Sequence, residues 1–158
     1  MISARVITCS DAAASGERQD LSGPAVRDLL QAQGYAVDAV VIVADTIEFI
    51  ATAIIDATES GNRLVVTTGG TGISPRDVTP DATMKVCEKL IPGFGEVMRS
   101  ASLQKTPMAA LSRMQAATRG TALVVNLPGS TAGAVENLQA VLHLIPHALE
   151  LLAGKTEH

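Results

Sequence analysis

The sequence predicts a three-layer α/β fold, with a doubly wound, mostly parallel sheet and helices on both faces. Three observations lead there. Short apolar runs rich in β-branched residues recur along the chain. Segments with apolar residues at helical spacing separate them. The apolar runs are near-continuous rather than alternating, as strands covered on both faces require.

Taken in order, Arg5 to Thr8 reads as a short buried strand, followed by a polar loop through Gly16. Pro24 suits a first helical turn, and Val26, Leu29 and Leu30 carry helical spacing up to Gly34. Val37 to Val43 predicts a second strand. Ile47, Ile50, Ala51, Ile54 and Ile55 mark one face of a helix reaching about Ser60. Leu64 to Thr68 is a third strand and Thr121 to Asn126 a later one. Ala132, Val135, Leu138, Leu142, Ile145 and Leu149 form the stripe of a closing helix with Pro146 as a kink point. Gly154 to His158 reads as a frayed tail. No internal repeat or linker interrupts the series, so residues 1–158 form one domain.

Composition narrows the function. At 158 residues the chain can bury a full core. A net charge of -4 leaves no electrostatic footprint for nucleic acid, and with no Trp, one Tyr and two Phe there is no platform for stacking bases. Cys9 and Cys87 are too few for a disulfide framework and read as buried thiols. No stretch reaches membrane-spanning length, and a soluble, cytoplasmic protein is expected.

In such sheets ligands gather beyond the carboxyl ends of the strands. Four loops leave strands in that sense: Cys9-Ser10-Asp11, Ala44-Asp45-Thr46, the stretch from Thr67 to Pro80, and Leu127-Pro128-Gly129-Ser130. The third, TTGGTGISPRDVTP, is neither a P-loop, lacking Gly-Lys-Ser/Thr, nor a dinucleotide fingerprint, since Pro75 stands where the third glycine would fall. Gly69, Gly70 and Gly72 still permit positive φ and close approach to a ligand. Thr79 is the expected cap of the next helix, with Pro80 at its first position and Asp81 in its first turn. The free N–H groups of that helix favour an anion. Asp77, a carboxylate beside an anion site, makes sense with a metal ion between them. The residues alone also allow a well-capped turn with no ligand.

The string TTGGTGISPRDVTPDAT, followed by IPGFGEVMR, ALSR and NLPGST, resembles the molybdopterin adenylyltransferase family of molybdenum-cofactor biosynthesis (MogA/MoaB and the G domains of plant and animal homologues). The opening TCSDAAASGERQDLSGP is similar to that family's first loop, and the likeness runs in order from about Ala4 to Ala153. It implies transfer of AMP from Mg-ATP to the terminal phosphate of molybdopterin with release of pyrophosphate. It also implies a homotrimer and hand-over of product to a molybdenum insertase.

The resemblance assigns site residues as well. Asp77 matches the metal-proximal aspartate of RDVTP, and Asp45 the aspartate after the second strand, although Ala44 and Thr46 stand where relatives carry proline and a second acid. These two are the expected Mg²⁺ ligands and catalytic residues. Gly69, Gly70, Thr71 and Gly72, with Asp20, Ser22 and Gly23 of the DxSGP motif, fall on the nucleotide side. Ser10, Asp11, Ser112, Arg113, Pro128, Gly129 and Ser130 fall on the pterin and phosphate side. Arg99, Lys105 and Arg113 are the cations available to phosphates. The chemistry agrees: a phosphate nucleophile is already ionised, so the site must supply alignment and charge neutralisation rather than a general base. A non-catalytic pterin-binding paralogue and a flavodoxin-like phosphate carrier remain as alternative readings.

Overall fold

A computed structural model describes residues 1–156. Five strands are joined by parallel pairing: β1 (Ser3–Cys9), β2 (Ala36–Val37), β3 (Val41–Val43), β4 (Leu64–Thr68) and, later in the chain, β7 (Ala122–Leu127). β5 (Lys89–Ile91) and β6 (Gln115–Arg119) complete the sheet, in the order β2-β1-β4-β7-β6-β5, with β3 also pairing β1. β6 is antiparallel to both of its neighbours.

Side chains alternate across the sheet, and each face meets its own helices. Leu64 and Val66 of β4 join one buried cluster and Val65 the other. On the first face lie α2 (Ser22–Ala32), α5 (Pro92–Leu103), α6 (Thr131–Val141) and α7 (Ile145–Leu152), which contribute Val26, Leu30, Met98, Leu138 and Leu149. On the second lie α3 (Ile47–Glu59) and α4 (Thr79–Val86), with Ile50, Ile54 and Ala82 against Ile7, Val65 and Val124. The three layers are as the sequence predicts. Apolar patterning suffices to set them, because every strand residue must face one helix layer or the other.

Four local expectations change. The stretch Val37 to Val43 is two strands, not one. Asp38 and Ala39 are exposed between them, and Val40 turns inward against the first core cluster and up to Gly23. The closing helix is interrupted at Leu142–Leu144 by a 3-10 turn, and α7 begins just before Pro146, whose missing N–H cannot continue the ladder. Thr79 is the first residue of α4 rather than its cap: Val78 holds the cap position and no side chain caps the helix. The polar loop before Gly16 contains a short helix, α1 (Asp11–Ser15), capped by Ser10 and ended by Gly16 at φ +84°. At the carboxyl end of the chain, Gly154 closes α7 at φ +87°; Glu157 and His158 of the expected tail lie outside the described residues.

β1 lies between β2/β3 on one side and β4 on the other, while the chain visits the former first. The connections therefore reverse direction across β1 and β4, and a crevice opens beyond their carboxyl ends.

Candidate active site

That crevice is a cleft of about 540 Å³, lined by Thr8, Cys9, Ser10, Asp20, Ser22, Asp45, Thr68, Gly69, Gly70, Gly129 and Ser130 among others. All four strand-end loops singled out in the sequence contribute to it. The loop after β4 enters first. Gly69 adopts φ +91°, and a Cβ there would stand 2.3 Å from the Cys9 carbonyl oxygen. The Gly69 N–H donates to Leu127 O at 3.0 Å, pinning the loop to β7. Replacing Gly69 by Ala combines a left-handed backbone with a clash against main chain that cannot rotate away. We expect a loss of about 2–5 kcal/mol, read as a midpoint drop of roughly 4–20 °C in thermal unfolding.

Beneath the cleft runs a polar floor. Thr8 Oγ1 donates to Asp20 Oδ2 at 2.8 Å, the Gly23 N–H donates to Asp20 Oδ1 at 3.1 Å, and the Ser22 and Thr68 hydroxyls share a hydrogen bond of 2.9 Å. Asp20 thus anchors the start of α2, and Gly23 sits so close to Asp20 and Thr8 that a Cβ would fall 2.4 Å from each. Asp20 and Ser22 line the cleft, and Gly23 packs against Asp20 and Thr8 beneath it. Thr8 and Thr68, buried at the ends of β1 and β4, were not singled out; only pairing of the two strands brings them together.

Asp45, in the cleft wall, is tied to Asp11. The Asp11 N–H donates to Asp45 Oδ2 at 2.9 Å, and the Asp45 N–H donates back to Asp11 Oδ1 at 2.9 Å. Asp45 Oδ1 is buried with no hydrogen-bond partner. Burial pushes this carboxyl up, and the charges of Asp11 and Asp77 add to the rise, against the lowering effects of the Asp11 backbone bond and Arg76. A desolvated carboxylate with an unpartnered oxygen is the kind of group that would supply one hard oxygen ligand to a divalent cation. Arg76 grips Asp11 with two bonds of 2.9 Å, which hold that carboxyl below its ordinary value. Cys9, buried under the cleft, has its thiol pushed up to about 12 by burial and is an inert wall rather than a nucleophile.

The other candidates divide between a rim and a second groove. Asp77 stands at the rim, where its Oδ2 accepts from the Ser74 N–H at 3.0 Å and lies 2.7 Å from where a Gly72 Cβ would be. Arg113 is committed to that loop: it donates to Gly72 O at 2.9 Å and Asp77 O at 2.6 Å, and pairs with Asp81 at 3.0 Å. The Arg113 N–H also donates to Thr71 O at 2.7 Å, and the Ser112 hydroxyl to the Thr71 hydroxyl at 3.4 Å. Ser112 and Pro128 line a neighbouring groove of about 440 Å³ that meets the cleft at Ser130. Ser130 caps α6, its hydroxyl accepting from the Gly133 N–H at 3.1 Å, so the N-terminus of that helix opens between cleft and groove. It is a natural seat for an anion.

Among the described residues no three His, Cys, Asp or Glu side chains gather as a ready metal cage, and no helix is long and apolar enough to cross a membrane. Asp45 and Asp77 would give a hard divalent cation only two carboxylates, fewer ligands than it takes, so a cation there would need further oxygens.

The sequence from residue 5 to residue 147 matches the family described as the probable molybdopterin binding domain. The chain is 43% identical, over 94% of its own length and 86% of the relative's, to a molybdopterin adenylyltransferase of Helicobacter pylori. It superposes with a TM-score of 0.90 at 45% identity, over 98% of both chains, on the molybdopterin biosynthesis enzyme MoaB of Thermus thermophilus. A molybdenum cofactor biosynthesis bifunctional protein of Synechococcus elongatus is 37% identical over 96% of this chain, which spans 47% of that longer protein. With fold, motif order and cleft in agreement, this chain belongs to the molybdopterin-binding domain family of molybdenum-cofactor biosynthesis.

Proposed function

We propose that this protein transfers the adenylyl group of ATP to the terminal phosphate of molybdopterin, releasing pyrophosphate. The observation that carries the reading is the meeting of two recesses at Ser130: a cleft with glycine loops and a free carboxylate oxygen, and a groove at its side. A two-substrate transfer needs its reacting atoms held together at such a junction. The nucleotide fits the cleft, where Gly69 and Gly70 let backbone approach phosphate. The pterin fits the groove beside Ser112 and Pro128, its phosphate reaching the N-terminus of α6. Ser10 and Asp11 support this arrangement from the far wall, Ser10 by capping α1 and Asp11 by fixing Asp45.

Mg²⁺ held by Asp45, with Asp77 contributing from the rim, would neutralise charge on the phosphates. The protein groups do the rest: Asp45 is held in one orientation by its bonds with Asp11, and Arg113 keeps the rim loop from collapsing. Incubation with molybdopterin, Mg²⁺ and ATP should yield adenylylated molybdopterin by mass analysis. Retained pterin binding with no such product would instead mark a pterin-binding paralogue.

A homotrimer and delivery of the product to a molybdenum insertase complete the proposal. Exposed Phe49, Ile73, Met108 and Leu111 supply apolar surface that association would cover. Sedimentation equilibrium at micromolar concentration should give three times the mass of the chain; a monomer refutes the assembly.

A further inference from the structure

We infer that Arg18 grips the polyphosphate end of the nucleotide, an assignment that rests on the adenylyl-transfer reading. Arg18 is the one Lys or Arg among the residues lining the cleft. Its backbone N–H donates to Ala12 O at 3.2 Å, folding the segment after α1 back along that helix. Its side chain is exposed and, among the described residues, takes part in no hydrogen bond or ion pair.

The other cations near the site are engaged. Arg76 is held by Asp11 and Arg113 by the rim loop and Asp81. Arg99 donates to the carbonyls of Ser112 and Met114, and Lys105 pairs with Glu136. The three cations that sequence reasoning offered to the phosphates are therefore occupied, while Arg18, which it did not name, is free.

Charge explains why the cleft needs it. The ionisable groups lining the cleft besides the buried Cys9 thiol and Arg18 are Asp20 and Asp45, both acidic, while a nucleoside triphosphate brings several negative charges. The N-terminus of α6 offers only about half a positive charge. Asp45 would hold a divalent ion only against the phosphates nearest to it. The remaining phosphates need a counter-charge within the cleft, and a guanidinium matches phosphate oxygens with two parallel N–H bonds. Arg18 lines the cleft and not the groove, so it meets the part of the nucleotide turned away from the second substrate. In-line displacement at the α-phosphorus sets the leaving pyrophosphate opposite the attacking phosphate, so that part is the pyrophosphate.

Calorimetric titration with inorganic pyrophosphate, and separately with AMP, tests this on the full chain. Arg18→Gln should weaken pyrophosphate roughly ten- to a hundredfold, the usual range for a lost hydrogen bond to a charged group, and leave AMP unchanged. Arg18→Lys should recover part of the loss. Arg27→Gln, which removes the same charge from an exposed pair with Asp28, should change neither. Wild-type affinity for pyrophosphate in Arg18→Gln, an equal loss for AMP, or no pyrophosphate binding by the wild type overturns the assignment. A protein that binds pyrophosphate through Arg18 yet forms no adenylylated pterin upholds it and refutes the adenylyl-transfer reading.

Discussion

Asp45→Asn should lose adenylyl transfer by about 10²–10³-fold without losing thermal stability. The variant keeps the oxygen that accepts from the Asp11 N–H, and its own N–H can still reach Asp11. What disappears is the negative charge on a carboxyl whose second oxygen is buried and unpaired. That charge is costly in the folded protein. Because burial raises the folded-state pKa of Asp45, its contribution to stability is fully present below the unfolded pKa and is lost as pH rises through the folded value. At neutral pH the ionised group therefore opposes folding, and its removal should leave the unfolding midpoint equal or higher.

The rate should show the same group with the opposite sense. The ionised form would bind the metal, so at limiting Mg²⁺ kcat/KM should fall as pH drops through a pKa above the ordinary aspartate value, and this acid limb should be missing from Asp45→Asn. A variant that turns over normally removes Asp45 from the machinery. One that loses activity together with several degrees of stability makes it a structural residue.

Asp77→Asn should cost about 10²-fold in rate, within the range for losing one electrostatic stabiliser, with pterin binding intact. The amide keeps an oxygen for the Ser74 N–H, so the rim loop should hold its shape. Asp77 stands at the rim, outside the cleft lining that includes Asp45, and the metal should be weakened rather than abolished. Raised Mg²⁺ should accordingly restore part of the rate. If Asp77→Asn is fully active at limiting Mg²⁺, this carboxylate only ties the turn from Ser74 to Asp77. Unchanged activity in both variants would dispose of the metal site altogether.

Neither substitution should disturb the pterin groove. Ser112 and Pro128 line it, and neither carboxylate does. Pterin affinity measured without nucleotide thus reports whether the two sub-sites are separate. A parallel loss in both variants would show that they are not.

The sheet layers and the loops that carry the site were legible in the amino-acid sequence. Leu64 to Thr68, the helix from Ile47, and the glycines after β4 declare themselves by local rules: apolar continuity, helical spacing and the conformational freedom of Gly69. β5 and β6 did not. Gln115–Arg119 carries two alanines, a glutamine and an arginine, and becomes a strand because β7 and β5 complete its hydrogen bonds on both sides. The break at Asp38 and Ala39 likewise depends on where Val40 can be buried.

The candidate site divides in the same way. Resemblance to the family offered Asp45, Asp77, Asp20 and Ser130 as site residues, and the fold brings Asp45, Asp20 and Ser130 to one cleft while Asp77 stays outside its lining. Only the tertiary structure decided which charges are free. Arg113 and Arg99 are spent on backbone carbonyls far away in sequence, Lys105 on Glu136, while Arg18 is left open to the cleft. A side chain's charge can be read from its name. Whether that charge is available to a ligand depends on neighbours that folding brings to it, and no spacing along the chain records them.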